Sequence, residues 1–180
     1  MARRDLADPY FAQAVVLIVQ HDDDGTLGLI LNRPTPHRLG EAAPELVPDP
    51  AQDPILHAGG PLGQDTVMFL FRSTYCPAQA LRVTEDIRLG LERDLLARLL
   101  SGEVESCSLR LFLGHAGWLP GQLEQELAAG DWLLAFAATT TILGPSPGSL
   151  WDDLIRRLEP EPLMTRAPAG GLNLRGNNLL

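Results

Sequence analysis

Two runs that are apolar at nearly every position flank one charged break near the start of the chain. Ala14-Val15-Val16-Leu17-Ile18-Val19 is apolar and rich in β-branched residues, His21-Asp22-Asp23-Asp24-Gly25 is polar, and Thr26-Leu27-Gly28-Leu29-Ile30-Leu31 is apolar again. Strand-length runs joined by an Asp-Gly turn predict a β-hairpin. Neither run alternates as a half-wet strand does, so the hairpin is expected in the middle of a sheet. Residues 34–54 are rich in proline and acid, with one short helix expected near 39–46. Strands are predicted over 54–57, over 66–71 and over 108–113. In the second, Val67, Phe69 and Phe71 face one way and Met68 and Leu70 the other; in the third, Leu109, Leu111 and Leu113 alternate. Thr84 reads as a helix cap, and Ile87, Leu91, Leu95 and Leu99 as the stripe of a helix that Gly102 ends. Residues 122–129 predict a second helix stopped by Gly130, 132–138 an apolar strand, and 150–158 an amphipathic helix. The sequence from 159 to 180 is dominated by Pro, Gly and Asn and reads as a flexible tail behind one domain over 1–158. No internal repeat is visible.

A chain of 180 residues can bury one core without a disulfide or metal staple. Its formal charge of −9 disfavours direct nucleic-acid binding, because non-specific affinity rests on cations neutralising phosphates. All 14 basic residues are arginine. Schiff-base enzymes, phosphate-loop nucleotidases and Ser–Lys hydrolases each need a lysine and are thereby excluded. Cys76 and Cys107 have no CxxC spacing, which points to a reducing cytosol rather than a disulfide framework. Asp5 and Asp8 precede the first apolar run, unlike an export signal. Residues 132–143 fall short of the ~20 apolar residues that span a bilayer. The expectation is a cytoplasmic protein with no membrane association.

Candidate chemistry is sparse. The triple aspartate lacks the later ligands of a calcium loop and reads as a solvated turn. His21, His37, His57 and His115 show no metal-ligand spacing, although His21, His57 and His115 stand at strand ends that could converge. Neither a GxSxG elbow nor a GxGxxG loop is present. No metal, cofactor or catalytic residue is assigned. More informative are Ala58-Gly59-Gly60-Pro61, whose glycines permit unusual backbone angles, and the segment from Gly114 to Glu126. In the latter a strand is expected to stop and turn around Trp118. Gln122 and Glu126 then share one helix face while Leu123 and Leu127 share the next. Backbone N–H groups at that helix start could hold an anion or a carbonyl, or could simply bond neighbouring loops.

These segments resemble the YqgE/AlgH family. The resemblance rests on Leu6-Ala7-Asp8-Pro9-Tyr10-Phe11, the hairpin with His21, Gly25 and Gly28, Asn32-Arg33-Pro34, Gly59-Gly60-Pro61, Gly114-His115-Ala116-Gly117-Trp118 through Glu126, Trp132 and the Trp151 helix. It implies an α/β (α+β) domain with a split, partly barrel-like β-sheet flanked by helices. Some members are described as regulators of gene expression, and no catalytic residue is accepted for the family. This chain departs from the pattern at Gln20, where members have Glu, at His115, where an aromatic is common, and in lacking an apolar lead-in before the Asp-Pro segment. The resulting expectation is a non-enzymatic binding or regulatory module. Its ligand or partner surface comprises Asn32, Arg33, Pro34, Gly59, Gly60, Pro61, Gly117, Trp118, Gly121, Gln122 and Glu126, with Arg33 gripping a carboxylate or phosphate or else pairing with Glu126. The partner is an unidentified protein or small molecule. The alternative is a hydrolase-type enzyme using His21, His57 or His115 as general base in the loop cleft.

Overall fold

A computed structural model describes residues 1–47, 49–74, 77–104, 108–145 and 147–159. Cys76, Cys107 and the tail beyond Glu159 lie outside the described residues. The predicted hairpin forms from β1 (Val16–Asp22) and β2 (Gly25–Ile30). It is followed by β3 (Pro34–Arg38), α1 (Leu39–Ala42), β4 (Ile55–Ala58) and the long β5 (Leu62–Arg72). Then come β6 (Ala80–Arg82), β7 (Ile87–Gly90), α2 (Arg93–Leu100), β8 (Leu109–Trp118), α3 (Gln122–Ala129), α4 (Thr139–Ile142) and α5 (Leu150–Leu158).

The sheet runs β1-β2-β8-β5-β7-β6, with β3 and β4 attached through β8. Nearly all of its pairings are antiparallel; the β4–β8 pair is parallel. The split expected from the family resemblance has a visible cause at Gly114. Up to Leu113, β8 pairs with β4; from Ala116 it pairs with β2. Gly114 takes a φ of +69°, which a side chain would resist, and so lets the strand swerve between two neighbours instead of ending. The strand predicted to stop at 113 therefore runs on to Trp118.

Alternation along β5 distributes the core as its sequence predicts. Met68 and Leu70 join Leu17, Leu29, Phe112 and the α5 residues Trp151, Leu154 and Ile155 on one face. Phe69 and Phe71 join Leu56, Leu111 and the α2 residues Leu95, Leu96 and Leu99 on the other. A third cluster holds Ala2, Ala116, Trp118 and Trp132, with Phe11, Leu123 and Leu127 against it.

Three expectations are corrected. The hairpin is not central, because β1 ends the strand order. The helix expected from 84 to 102 starts only at Arg93; Ile87–Gly90 is strand β7, paired to both β5 and β6. Thr84 does bond backbone, accepting from the Ile87 N–H at 3.1 Å, but it shapes a turn and caps no helix. Beyond Trp132, which makes a single bridge to Ala2, residues 133–138 join no ladder.

Candidate functional site

The bends singled out in the sequence meet along β8 and around the loop at 8–13. Asp8 folds that loop by accepting the N–H groups of Tyr10 and Phe11 at 2.8 Å each. Asn32, buried at the end of β2, clamps its far side. Its Oδ1 accepts from the Val15 N–H at 2.8 Å and its Nδ2 donates to the Gln13 carbonyl at 2.9 Å. Arg33 Nη2 donates to the Ala12 carbonyl. The guanidinium expected to grip an anion or to pair with Glu126 instead fixes a loop through a backbone oxygen.

Gly59 and Gly60 sit where this clamp meets β8. Gly59 N–H donates to Leu113 O and Gly59 O accepts from Ile30 N–H, both at 2.8 Å, while the Arg33 carbonyl accepts from Ala58. A Cβ on Gly60 would collide with the backbone of His115, and one on Gly59 with the carbonyl of Gly114. These glycines are required for close backbone approach. Pro61 and Pro34 are exposed.

At the far end of β8 a single carboxylate organises the Gly117–Glu126 segment. Glu126 Oε2 accepts the indole N–H of Trp118 and that of Trp132, each at 2.8 Å, and Oε1 accepts from Gln122 Nε2 at 2.9 Å. Gln122 Oε1 in turn accepts the Leu119 N–H at 3.0 Å. The shared face predicted for Gln122 and Glu126 is present, with Leu123 and Leu127 packed beside Trp118 and Trp132. Gly121 enters α3 with a φ of +76°. Phe11 stacks on Trp118 at 5.9 Å and meets Trp132 edge-on at 5.7 Å, tying this node back to the 8–13 loop. The role of Trp132 and of Phe11 in the node was not legible from their positions in the chain. A half-buried carboxylate facing two indoles is a tertiary arrangement with no local periodicity.

The bends are thus neighbours, and their polar atoms are largely spent on one another. Exposed above them lie Tyr10, Pro61, Leu62, Gln64 and Gly117. Gln64 Nε2 reaches the Tyr10 hydroxyl at 3.5 Å, and Leu62 covers Gly117 so closely that a Cβ there would lie 2.8 Å from its methyl.

The histidines do not share a pocket. His57 lies opposite Phe112, His115 opposite Leu62, and His21 opposite Thr26, which itself faces Trp118. Their register points are spaced by three residues along β8, roughly 10 Å per step at strand rise. His57 is buried without a partner for Nδ1; burial, and then the Arg110 guanidinium, hold its pKa below the ordinary imidazole value. His21 has partners: Thr26 Oγ1 is 2.7 Å from Nδ1 and Glu124 Oε1 is 3.1 Å from Nε2. In the adjacent turn the Asp22 carboxylate accepts from Gln20 Nε2 and from the Asp24 N–H, which lowers its pKa. Among the described residues no three His, Cys, Asp or Glu side chains gather closely enough to hold a metal ion. No helix there is long and apolar enough to cross a membrane.

The family described as AlgH-like (DUF179) matches residues 1–163. A UPF0301 protein of Streptomyces avermitilis is 38% identical over 169 residues, covering 88% of this chain and 84% of that protein. One from Myxococcus xanthus is 34% identical over 167 residues and covers 91% of each. The solution structure of the AlgH protein from Pseudomonas aeruginosa superposes with a TM-score of 0.74 at 30% identity, over 94% of this chain and 92% of that one. A crystal structure of a Corynebacterium diphtheriae protein gives the same score and identity over 90% of this chain and 85% of its own.

Proposed function

The chain belongs to the AlgH-like family, and we propose that it is a non-enzymatic binding module with a regulatory role, contacting its partner through the surface above the converging bends. The observation that carries this reading is the division of labour there. Asn32, Arg33, Gly59, Gly60, Trp118, Gln122 and Glu126 bond or pack against protein, which makes the frame rigid. Over them Tyr10, Leu62 and Gln64 stand exposed, with Leu62 at 48%. A rigid platform carrying an aromatic, an aliphatic and an amide side chain suits contact without ordering cost. The occupant is a protein or a small molecule in the cytoplasm, and the −9 charge argues against direct nucleic-acid contact. A thermal-shift screen against metabolites and nucleotides tests the reading. Any stabilising compound is expected to lose its effect in Leu62→Glu, whose side chain lies outside the three clusters. An unchanged shift in that variant removes the surface from the account.

A hydrolase-type reading keeps one specific observation in its favour, the His21 imidazole held between a hydroxyl and a carboxylate. General-base catalysis requires that reach of about 3 Å. Turnover of an activated ester that His21→Ala abolishes would favour it over the binding module.

A further inference from the structure

Two arginines stand directly opposite each other beside the turn that joins β6 to β7. Arg82 pairs with Arg88 across the ladder, and the chain between them turns tightly, the N–H groups of Val83 and Thr84 donating to Ile87 O at 3.0 and 3.2 Å. Like charges placed opposite on neighbouring strands repel. Arg88 is only 3% exposed, so its charge is also held away from water. Its Nη1 donates to Thr84 O at 2.9 Å and to Ile87 O at 3.1 Å, and its Nη2 to Glu85 O at 3.0 Å. Its Nε has no acceptor. Arg82, exposed beside it, turns its own Nε to the same Thr84 carbonyl at 3.3 Å. One backbone oxygen thus faces two guanidinium groups.

Carbonyls offer dipoles but no countercharge, and a buried cation without one is costly. The acid of the turn, Asp86, is committed elsewhere. Its Oδ2 accepts from Arg72 Nε at 2.9 Å, and its Oδ1 from Thr139 Oγ1 at 2.8 Å and Thr84 Oγ1 at 3.2 Å. Among the described residues no carboxylate pairs with Arg82 or Arg88, and the two Nη groups of Arg82 have no acceptor. Glu85 is exposed in the same turn and joins no ion pair there. An exposed guanidinium fork with free donors, beside a second, buried cation, suits bidentate capture of an oxyanion. The chain's −9 charge repels anions from afar, but salt screens that field beyond roughly 8 Å and leaves the local surplus in place.

We propose that the β6–β7 turn is a binding site for a phosphate monoester. The free Nη groups of Arg82 grip two phosphoryl oxygens, and Arg88 contributes through its charge rather than by contact. Such a group carries about −1.5 to −2 charges at pH 7, which answers both guanidiniums where a carboxylate answers one. A small metabolite and a phosphorylated side chain of a partner present the same chemistry. The inference does not rest on what the Tyr10–Leu62 surface binds.

The test is isothermal titration calorimetry of the full chain at low salt with inorganic phosphate, with acetate, and with an alanine-flanked phosphoserine peptide beside its unphosphorylated form. Saturable binding of phosphate and of the phosphopeptide is expected, about tenfold tighter than acetate, and none of the unphosphorylated peptide. Arg82→Gln, checked for an unchanged melting curve, should weaken it about tenfold, and Arg82→Lys, which keeps the charge without the fork, about threefold. Removing the one competing acid with Glu85→Gln should tighten it. A phosphopeptide that outbinds inorganic phosphate makes the occupant a modified partner; equal affinities make it a small phosphate ester. The proposal is overturned if phosphate does not bind saturably, if acetate binds equally well, or if Arg82→Gln binds phosphate as the parent does. Running the compound screen for the other surface in the Arg82→Gln background keeps the two readings apart.

Discussion

Glu126 receives three N–H groups, from Trp118, Trp132 and Gln122, and truncation would leave the two part-buried indoles without an acceptor while the exposed Gln122 amide turns to water. Glu126→Ala is therefore predicted to cost about 2 kcal/mol, since partly buried donors lose their partner while little apolar packing changes. Urea denaturation measures it; a loss under about 0.5 kcal/mol would mean the node does not hold the fold. Half of the node was legible in the sequence, because a spacing of four puts Gln122 and Glu126 on one helix face. Trp132 was not, since nothing local says which distant carboxylate an indole will find. Arg33 illustrates the same limit: its charge suggested an anion partner, yet a loop carbonyl lies in reach. At His57 burial decides the titration. Its folded pKa lies below the unfolded value of about 6.5, so the unfolded chain takes up the proton first as pH falls. The stability tied to neutral His57 is complete above about pH 6.5 and is lost as pH drops through the lower folded value. Urea melts at pH 7.5 and 5.5 are expected to differ less in His57→Gln than in the parent; an equal difference would assign the acid sensitivity elsewhere.

Among the elements, those with one unbroken pattern were readable and those built from two patterns were not. The hairpin, the two faces of β5, and helices α3 and α5 follow directly from apolar periodicity and from the positive-φ glycine at 130. The stripe Ile87, Leu91, Leu95, Leu99 misled because it spans a strand and a helix. Ile87 is buried in β7, Leu95 and Leu99 are buried in α2, and Leu91 between them is 48% exposed. Gly90 shows why the strand wins there. Phe69 of the paired β5 lays its ring where a Cβ on residue 90 would stand, so only glycine permits the pairing. Gly90→Ala is accordingly predicted to destabilise by about 2 kcal/mol through overpacking. Leu91→Ser should stay within about 0.5 kcal/mol, as surface changes do. A continuous helix would reverse that order, so thermal or urea melts of the two variants separate the alternatives. The edge position of β1 was hidden for a related reason. Its apolar character anticipates a neighbour on each side, whereas among the described residues β2 is its one ladder partner.

For the whole molecule, β8 is the organising strand. It borders β4, β2 and β5; the Gly59–Gly60 bend packs against it, the Gly117–Glu126 segment continues from it, and the Asn32–Pro34 bend joins it through β4. That arrangement makes the family's characteristic residues a frame, and on the proposed reading the side chains standing over it make the contact. The chain has no lysine for covalent amine chemistry, and the register positions of His57, His115 and His21 are separated along β8. The fold class was legible because the resemblance supplied the split sheet, while the position of each bend against β8 depended on close glycine contacts that only three dimensions reveal. The most direct measurement of the central claim is photo-crosslinking in cells, with a benzophenone side chain at position 62 or 64 and, as a control on the same protein, at the exposed position 91. Discrete adducts at 62 and 64 and none at 91 are predicted. Adducts of equal yield at all three positions, or none at 62 and 64, would contradict it.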